Sequence, residues 1–424
     1  MFFSTPVLWY NGKNAKKRGG PRPAVTEKLY ENAPYLQTFT ATVLACAPAP
    51  GGYAVVLDRT AFYPEGGGQP CDTGRLGGAA VLAVHTDGDT ITHTTDAPLP
   101  VGAAVEGAID WPARLDAMQQ HTGEHILSGT LHRLYGAENV GFHIGSPWVR
   151  MDTSIPLTAE QLAAAEAEAN AAVRADTPVR CWLPAPEELA RTEYRSKKAL
   201  EGPVRLVEAG GDRCACCGTH LARTGEVGLI KIVSFQHYKG GMRLAVACGQ
   251  RAYEAVAAGW ADAEAAGRRL SVPVGRLEEA AERARNAESQ LKQRLAALQN
   301  ALAEALTAAA APGRPCITRI EGADGDGLRR MAAAIAAGTG SPCCLLAPGG
   351  QGLAYALAAA PGGDVRPACK ALNEAFGGRG GGKPGFCQGS LTQNVDCNVV
   401  EKLLMQYSQN DFKCKTSDFQ RRYL

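Results

Sequence analysis

The sequence has no dominant charge, no membrane-length apolar run and no secretion signal. Its 44 Lys and Arg against 42 Asp and Glu leave a formal net charge of +2, so no general field draws the chain to polyanions. Any nucleic acid has to meet local basic patches. No apolar stretch approaches the roughly 20 residues of a membrane-spanning helix. The opening MFFSTPVLWYNGKNAKKRGG has its apolar run broken by Pro6 and its basic residues after that run, the reverse of a signal peptide. A G-x-x-x-x-G-K-[ST] phosphate loop is missing as well, which excludes P-loop nucleotide chemistry. Cysteine, in contrast, is plentiful. The 14 cysteines are irregularly spaced, which reads as reduced thiols and metal ligands rather than a disulfide framework and points to the cytoplasm.

A chain of 424 residues is long enough for two or three cores. Residues 1–24 differ in composition from the rest of the chain, and VTEKLY from Val25 reads as the start of a domain, with translation expected to begin there. Residues 25–110 carry short β-rich runs separated by Gly, Pro and Asp turns, the pattern of a small β-barrel. At Asp110 the period changes to helical, with Asp110 as N-cap and Pro112 in the first turn, and a mixed α/β segment runs over 111–260.

Residues 261–312 are rich in Ala, Leu, Glu and Arg. Leu277, Ala284, Leu291, Leu298 and Ala305 recur every seven positions, predicting a long helix whose seam pairs with a second copy or packs on the protein's own body. A Gly-rich α/β segment comes next, over 313–389. Residues 390–424 swap Ala and Gly for Asn, Gln, Phe and Cys, as a foreign or frameshifted end would. The expected class is α+β.

HTGEH, residues 121–125, carries the first chemistry. On a helix, His121 and His125 are separated by about 40° around the axis and can share one ion. Cys216 and His220 in CACCGTH stand at C-x3-H spacing, and the two pairs together complete a tetrahedral zinc site. Cys214 and Cys217 are alternative thiol donors. His121, Glu124 and His125 also fit H-x-x-E-H, the inverted metalloprotease pattern, with Glu201 or Glu208 as a downstream carboxylate ligand. Thr122 rules out the direct order H-E-x-x-H. Glu124 is either a general base near the metal or an exposed helical carboxylate. A third element, FYPEGGGQ, offers Gly66 to Gly68 for close approach of backbone to a ligand and the Gln69 amide for hydrogen bonding, or else a β-turn of the barrel.

FYPEGGGQ, HTGEH, CCGTH and TGEVGLIKI, in this order and spacing over residues 25–255, resemble the editing domain of alanyl-tRNA synthetases and of the free-standing AlaX proteins. GGRGGGKPGFCQG, residues 377–389, is similar to the C-terminal domain of those synthetases, also seen in DHH-type phosphoesterases, so the whole resembles a long-form AlaX. The resemblance places His121, His125, Cys216 and His220 on the family's zinc ligands and Gln69 on its substrate loop. It implies hydrolysis of a wrong aminoacyl ester on alanine tRNA. The aminoacylation domain is absent, so charging of tRNA is not expected, and Cys387 stands where the family often has a small residue.

A pocket for alanine rejects serine and glycine poorly, which makes a second, hydrolytic site necessary. A site that hydrogen-bonds the serine hydroxyl disfavours alanine by about 1–3 kcal/mol. Thr60 and Gln69 are the candidates for that contact, Thr60 being equally expected as a plain strand residue. Candidate phosphate contacts are Lys197 and Lys198 in YRSKK, Lys239 and Arg243 in KGGMR, and Arg379 and Lys383 in the glycine run. The partner implied is alanine tRNA carrying a wrong amino acid, with a homodimer through residues 262–312. His143, in GFHIG, is expected in a turn or a core.

Overall fold

In the computed structural model, which describes residues 25–196, 202–349 and 352–408, the first β-rich stretch turns every second side chain inward. Strand β1 (Thr38–Ala49) buries Phe39, Ala41 and Val43 and leaves Thr38 and Thr40 outside, the period of a strand with one covered face. It is followed by β2 (Gly52–Leu57), β3 (Gly74–Leu76), β4 (Ala79–Asp87), β5 (Thr90–Thr95) and β6 (Ala104–Ile109). The six close into a barrel in the order β1-β2-β5-β4-β3-β6. Val55, Leu57, Phe62, Leu76, Val84 and Ile91 fill its interior.

Helix α1 (Trp111–Tyr135) begins where Asp110 accepts the Ala113 N–H (3.4 Å) and Pro112 occupies the first turn. It ends at Gly136, whose φ of +66° is a left-handed cap that suits glycine. Most of the helix is buried, so its polar side chains require partners inside the protein. Arg114 supplies one such anchor. It binds Asp72 through two nitrogens and donates to the carbonyls of Pro34 (2.8 Å) and Ala61 (2.6 Å), fastening α1 to the barrel. Asp72 in turn closes the loop Tyr63–Asp72 by donating its N–H to the Tyr63 carbonyl.

The chain continues through β7 (Asn139–Ile144), β8 (Val149–Thr153), α2 (Ala159–Arg174), β9 (Arg180–Trp182), β10 (Leu206–Ala209), β11 (Asp212–Ala215), β12 (Ile230–Tyr238), β13 (Gly241–Cys248) and α3 (Gly249–Leu270). One sheet has the order β12-β13-β8-β7, and β9-β10-β11 form another. Met118, Ile126, Leu127 and Leu131 of α1 share a core with Met151, Leu244 and Val246 of the larger sheet and with Leu162 and Ala165 of α2.

The fold is mixed α+β and divides into two units, Met1–Ala265 and Ala266–Leu424. The second begins with the end of α3 and α4 (Leu277–Ala309), so the helical stretch over 261–312 consists of two helices. Ser271, at a φ of +55°, and Pro273 separate them. The unit continues with β14 (Cys316–Arg319), α5 (Gly325–Thr339), β15 (Cys343–Gly349), β16 (Gly352–Ala358), α6 (Arg366–Phe376), β17 (Arg379–Lys383), β18 (Phe386–Leu391) and α7 (Cys397–Ser408). Its sheet runs β14-β15-β16-β18-β17. Ala303 of α4 packs with Leu328, Met331 and Ile335 of α5. Strand β18 crosses position 389 without a break, and α7 buries Val400, Leu403 and Leu404 against Leu353, Tyr355 and Leu372. No helix of the described residues is long and apolar enough to cross a membrane.

Candidate metal centre

Helix α1 and the turn after β11 supply the four side chains. His121 and His125 project from one face of α1, and Cys216 and His220 reach them from the turn, with all four donor atoms within 4.8 Å of one another. The Cys216 sulfur lies 3.4 Å from Nε2 of His121 and 3.4 Å from Nε2 of His220. The three imidazole centroids are 4.5 to 5.1 Å apart. Tetrahedral zinc with bonds of about 2.0–2.3 Å sets its donor atoms about 3.3–3.6 Å apart, so the two sulfur distances fit such an ion. The chemistry of the set fits as well. Burial, and then the neighbouring His121 and His125, push the His220 imidazole well below its ordinary range, leaving it neutral and ready to donate a lone pair.

A second layer orients the ligands. Nδ1 of His121 donates to Oε1 of Gln69 at 2.8 Å, which turns Nε2 toward the Cys216 sulfur and the centre of the cluster. Oε1 of Gln69 also accepts the Thr219 N–H (3.2 Å), and its Nε2 donates to the Thr219 hydroxyl (2.8 Å). Nδ1 of His220 meets the Thr122 hydroxyl oxygen at 3.3 Å, which also accepts the Leu221 N–H. Phe142 stacks on the His121 ring with 5.2 Å between centroids. Gly218 is required by close approach, since a Cβ there would lie 2.2 Å from Cε1 of His121.

Beside this layer the loop after Tyr63 borders a cavity of about 370 Å³, lined by Gly66 to Gly68, Gln69, His85 and His143 among others. Gln69 therefore touches both the cavity and His121 of the four-donor cluster.

Residues 204–244 match the family described as the threonyl and alanyl tRNA synthetase second additional domain. The alanine–tRNA ligase of Pyrobaculum neutrophilum is 35% identical, over 88% of this chain and 43% of the ligase. The alanyl-tRNA editing protein of Mus musculus is 28% identical, over 89% of this chain and 97% of that protein. The chain is similar to an AlaX-like family. It spans less than half the length of the archaeal ligases that it matches.

In this AlaX-like chain the remaining sequence candidates fall in different places. Thr60 is fully buried in the barrel. His93 donates through Nδ1 to the Val55 carbonyl (3.2 Å), so its Nε2 accepts from the Thr60 hydroxyl (2.8 Å), which itself accepts the Phe62 N–H. Glu124 is 4% exposed rather than a surface carboxylate, and it accepts from Nδ2 of Asn139 on β7. It is not among the four converging donors.

Arg243 is held two-pronged by Asp152 at 2.7 Å and lies 3.5 Å over the Tyr238 ring, and Lys239 sits in the tight turn between β12 and β13. Arg379 and Lys383 are exposed at the two ends of β17 in the second unit. Lys197, Lys198 and Glu201 lie outside the described residues. Glu208, the other carboxylate that an inverted metalloprotease would use, pairs with Arg213 at 2.7 Å.

His85 and His143 were not marked by sequence spacing. They come together at the cavity because β4 and β7 flank the glycine loop, and the only local signal was the glycines on either side of FHI.

Proposed function

We propose that the chain is a zinc-dependent aminoacyl-tRNA deacylase that removes serine, and also glycine, from mischarged alanine tRNA. The observation that carries this reading is the convergence of His121, His125, Cys216 and His220 next to the glycine-loop cavity, joined to it by Gln69. Zinc in this site would supply a Lewis acid beside an ester carbonyl. Gln69 and Thr122 keep the two imidazoles in the tautomer and orientation that a metal ligand needs. Gly66 to Gly68 line the cavity without side chains, which leaves room for a polar nucleotide end to approach the loop. Thr60 and Glu124 enter this reading as groups now held by His93 and Asn139, which must exchange those bonds to touch the serine hydroxyl or a water.

Lys197, Lys198, Lys239, Arg379 and Lys383 are the proposed phosphate contacts. Arg243, committed to Asp152, contributes by bracing Tyr238. Action in the cytoplasm fits the reduced thiols. A homodimer through α4 is supported by Leu291, Leu295, Leu298 and Leu302, exposed at 4-3-4 spacing along one stripe.

The test is deacylation of Ser-, Gly- and Ala-tRNA made on the alanine acceptor, with the full chain, its His125→Ala variant and chelator-treated protein. Loss of serine and glycine but not alanine, abolished in both controls, is expected. A folded, zinc-loaded protein that leaves all three esters intact, or activity indifferent to the metal, would overturn the proposal.

A further inference from the structure

Arg205 stands at the point where the sheet hands over to the metal-binding turn. The ladder that pairs Leu206 of β10 with Ala215 of β11 continues for one more step, in which the Cys216 N–H donates to the Arg205 carbonyl at 3.0 Å. The side chain of Arg205 then returns to the same turn, and Nη1 donates to the carbonyls of Cys216 and Gly218, each at 3.0 Å. One residue thus grips Cys216 at both its N–H and its carbonyl. The turn closes under this grip, with the Gly218 N–H directed at the Cys216 sulfur at 3.3 Å.

The surroundings make this placement costly. Arg205 is 8% exposed, and among the described residues no carboxylate pairs with it. Burying a guanidinium costs free energy that its hydrogen bonds must offset, and here those bonds go to the two carbonyls of the metal-binding turn. The two carbonyls, of Cys216 itself and of Gly218, bound the turn that carries the only sulfur of the four-donor cluster. The planar fork matters here, since the compact, flexible ammonium of a lysine does not reproduce a rigid guanidinium brace.

We infer that Arg205 is a positioning residue of the metal centre, fixing the Cys216 sulfur by holding the carbonyls of Cys216 and Gly218. The inference rests on the metal reading above. It assigns to Arg205 no contact with substrate.

The test compares zinc affinity, by chelator competition, and the cobalt(II) absorption spectrum of the full-length wild type with Arg205→Met and Arg205→Lys. Val81→Ala, in the barrel core, supplies a loss of stability unrelated to the turn. Arg205→Met is expected to bind zinc about 10–100-fold more weakly and to lose or shift the sulfur-to-cobalt charge-transfer band. Arg205→Lys, which keeps the charge without the fork, is expected to fall between; should Arg205→Met fail to fold, it carries the test alone. Val81→Ala is expected to bind as wild type.

Wild-type affinity and spectrum in the folded Arg205 variants, or an equal loss in Val81→Ala, would overturn the inference alone. A wild type that takes up neither metal would overturn the zinc reading and this inference with it.

Discussion

Thr122 has two meanings at the residue scale. In the sequence it rules out H-E-x-x-H; in the fold its hydroxyl braces His220. Thr122→Val keeps the shape and removes that oxygen, so zinc affinity is expected to fall about tenfold or more in chelator competition. Unchanged affinity would show that Thr122 merely packs.

The two pairs that converge in the fold were legible because i, i+4 spacing on a helix and C-x3-H spacing in a turn are local. The bond from Gln69 to His121 spans 52 positions and depends on how the barrel sits against α1, which no local pattern reports.

His93 was equally silent in the sequence. Burial lowers it from an ordinary 6.5 to about 4, so the folded barrel keeps it neutral where the unfolded chain protonates it. A base with a depressed folded pKa stabilises the fold fully above pH 6.5, and that contribution declines as pH falls toward about 4, by about 3 kcal/mol in all. Urea unfolding at pH 7.5 and 4.5 is expected to show this loss in wild type and to lack it in His93→Gln. The same pH slope in both proteins would rule His93 out as its source.

At the scale of elements, alternation made the first strands readable, and the cap at Asp110 with Pro112 marked the start of α1. The heptad spacing from Leu277 marked α4, but the uniform Ala-, Glu- and Arg-rich composition across 261–312 concealed the interruption at Ser271–Pro273 that separates it from α3. The change in composition after 389 concealed α7, whose Val400, Leu403 and Leu404 keep helical i, i+3, i+4 spacing and complete a core. On α4, Gln299 and Ala303 face α5 while the leucine stripe stays exposed. If that stripe pairs two copies, Leu291→Glu with Leu298→Glu is expected to convert a dimer to a monomer in sedimentation at micromolar concentration. An unchanged mass would assign the stripe another role.

At the scale of the whole molecule, helix α1, the turn after β11 and the hydrogen bonds behind them bring one four-donor cluster together in the first unit. Cysteines with raised thiol pKa values elsewhere, such as Cys248 and Cys344, are buried packing residues. Among the described residues, only Cys216 stands with three imidazoles. The most direct test is therefore elemental analysis of the full chain purified without added metal, beside Cys216→Ala. About one zinc per wild-type chain, largely lost in the variant, is the expected result. A wild type without zinc, or a variant that retains a full complement, would contradict the assignment of these four residues as the metal centre.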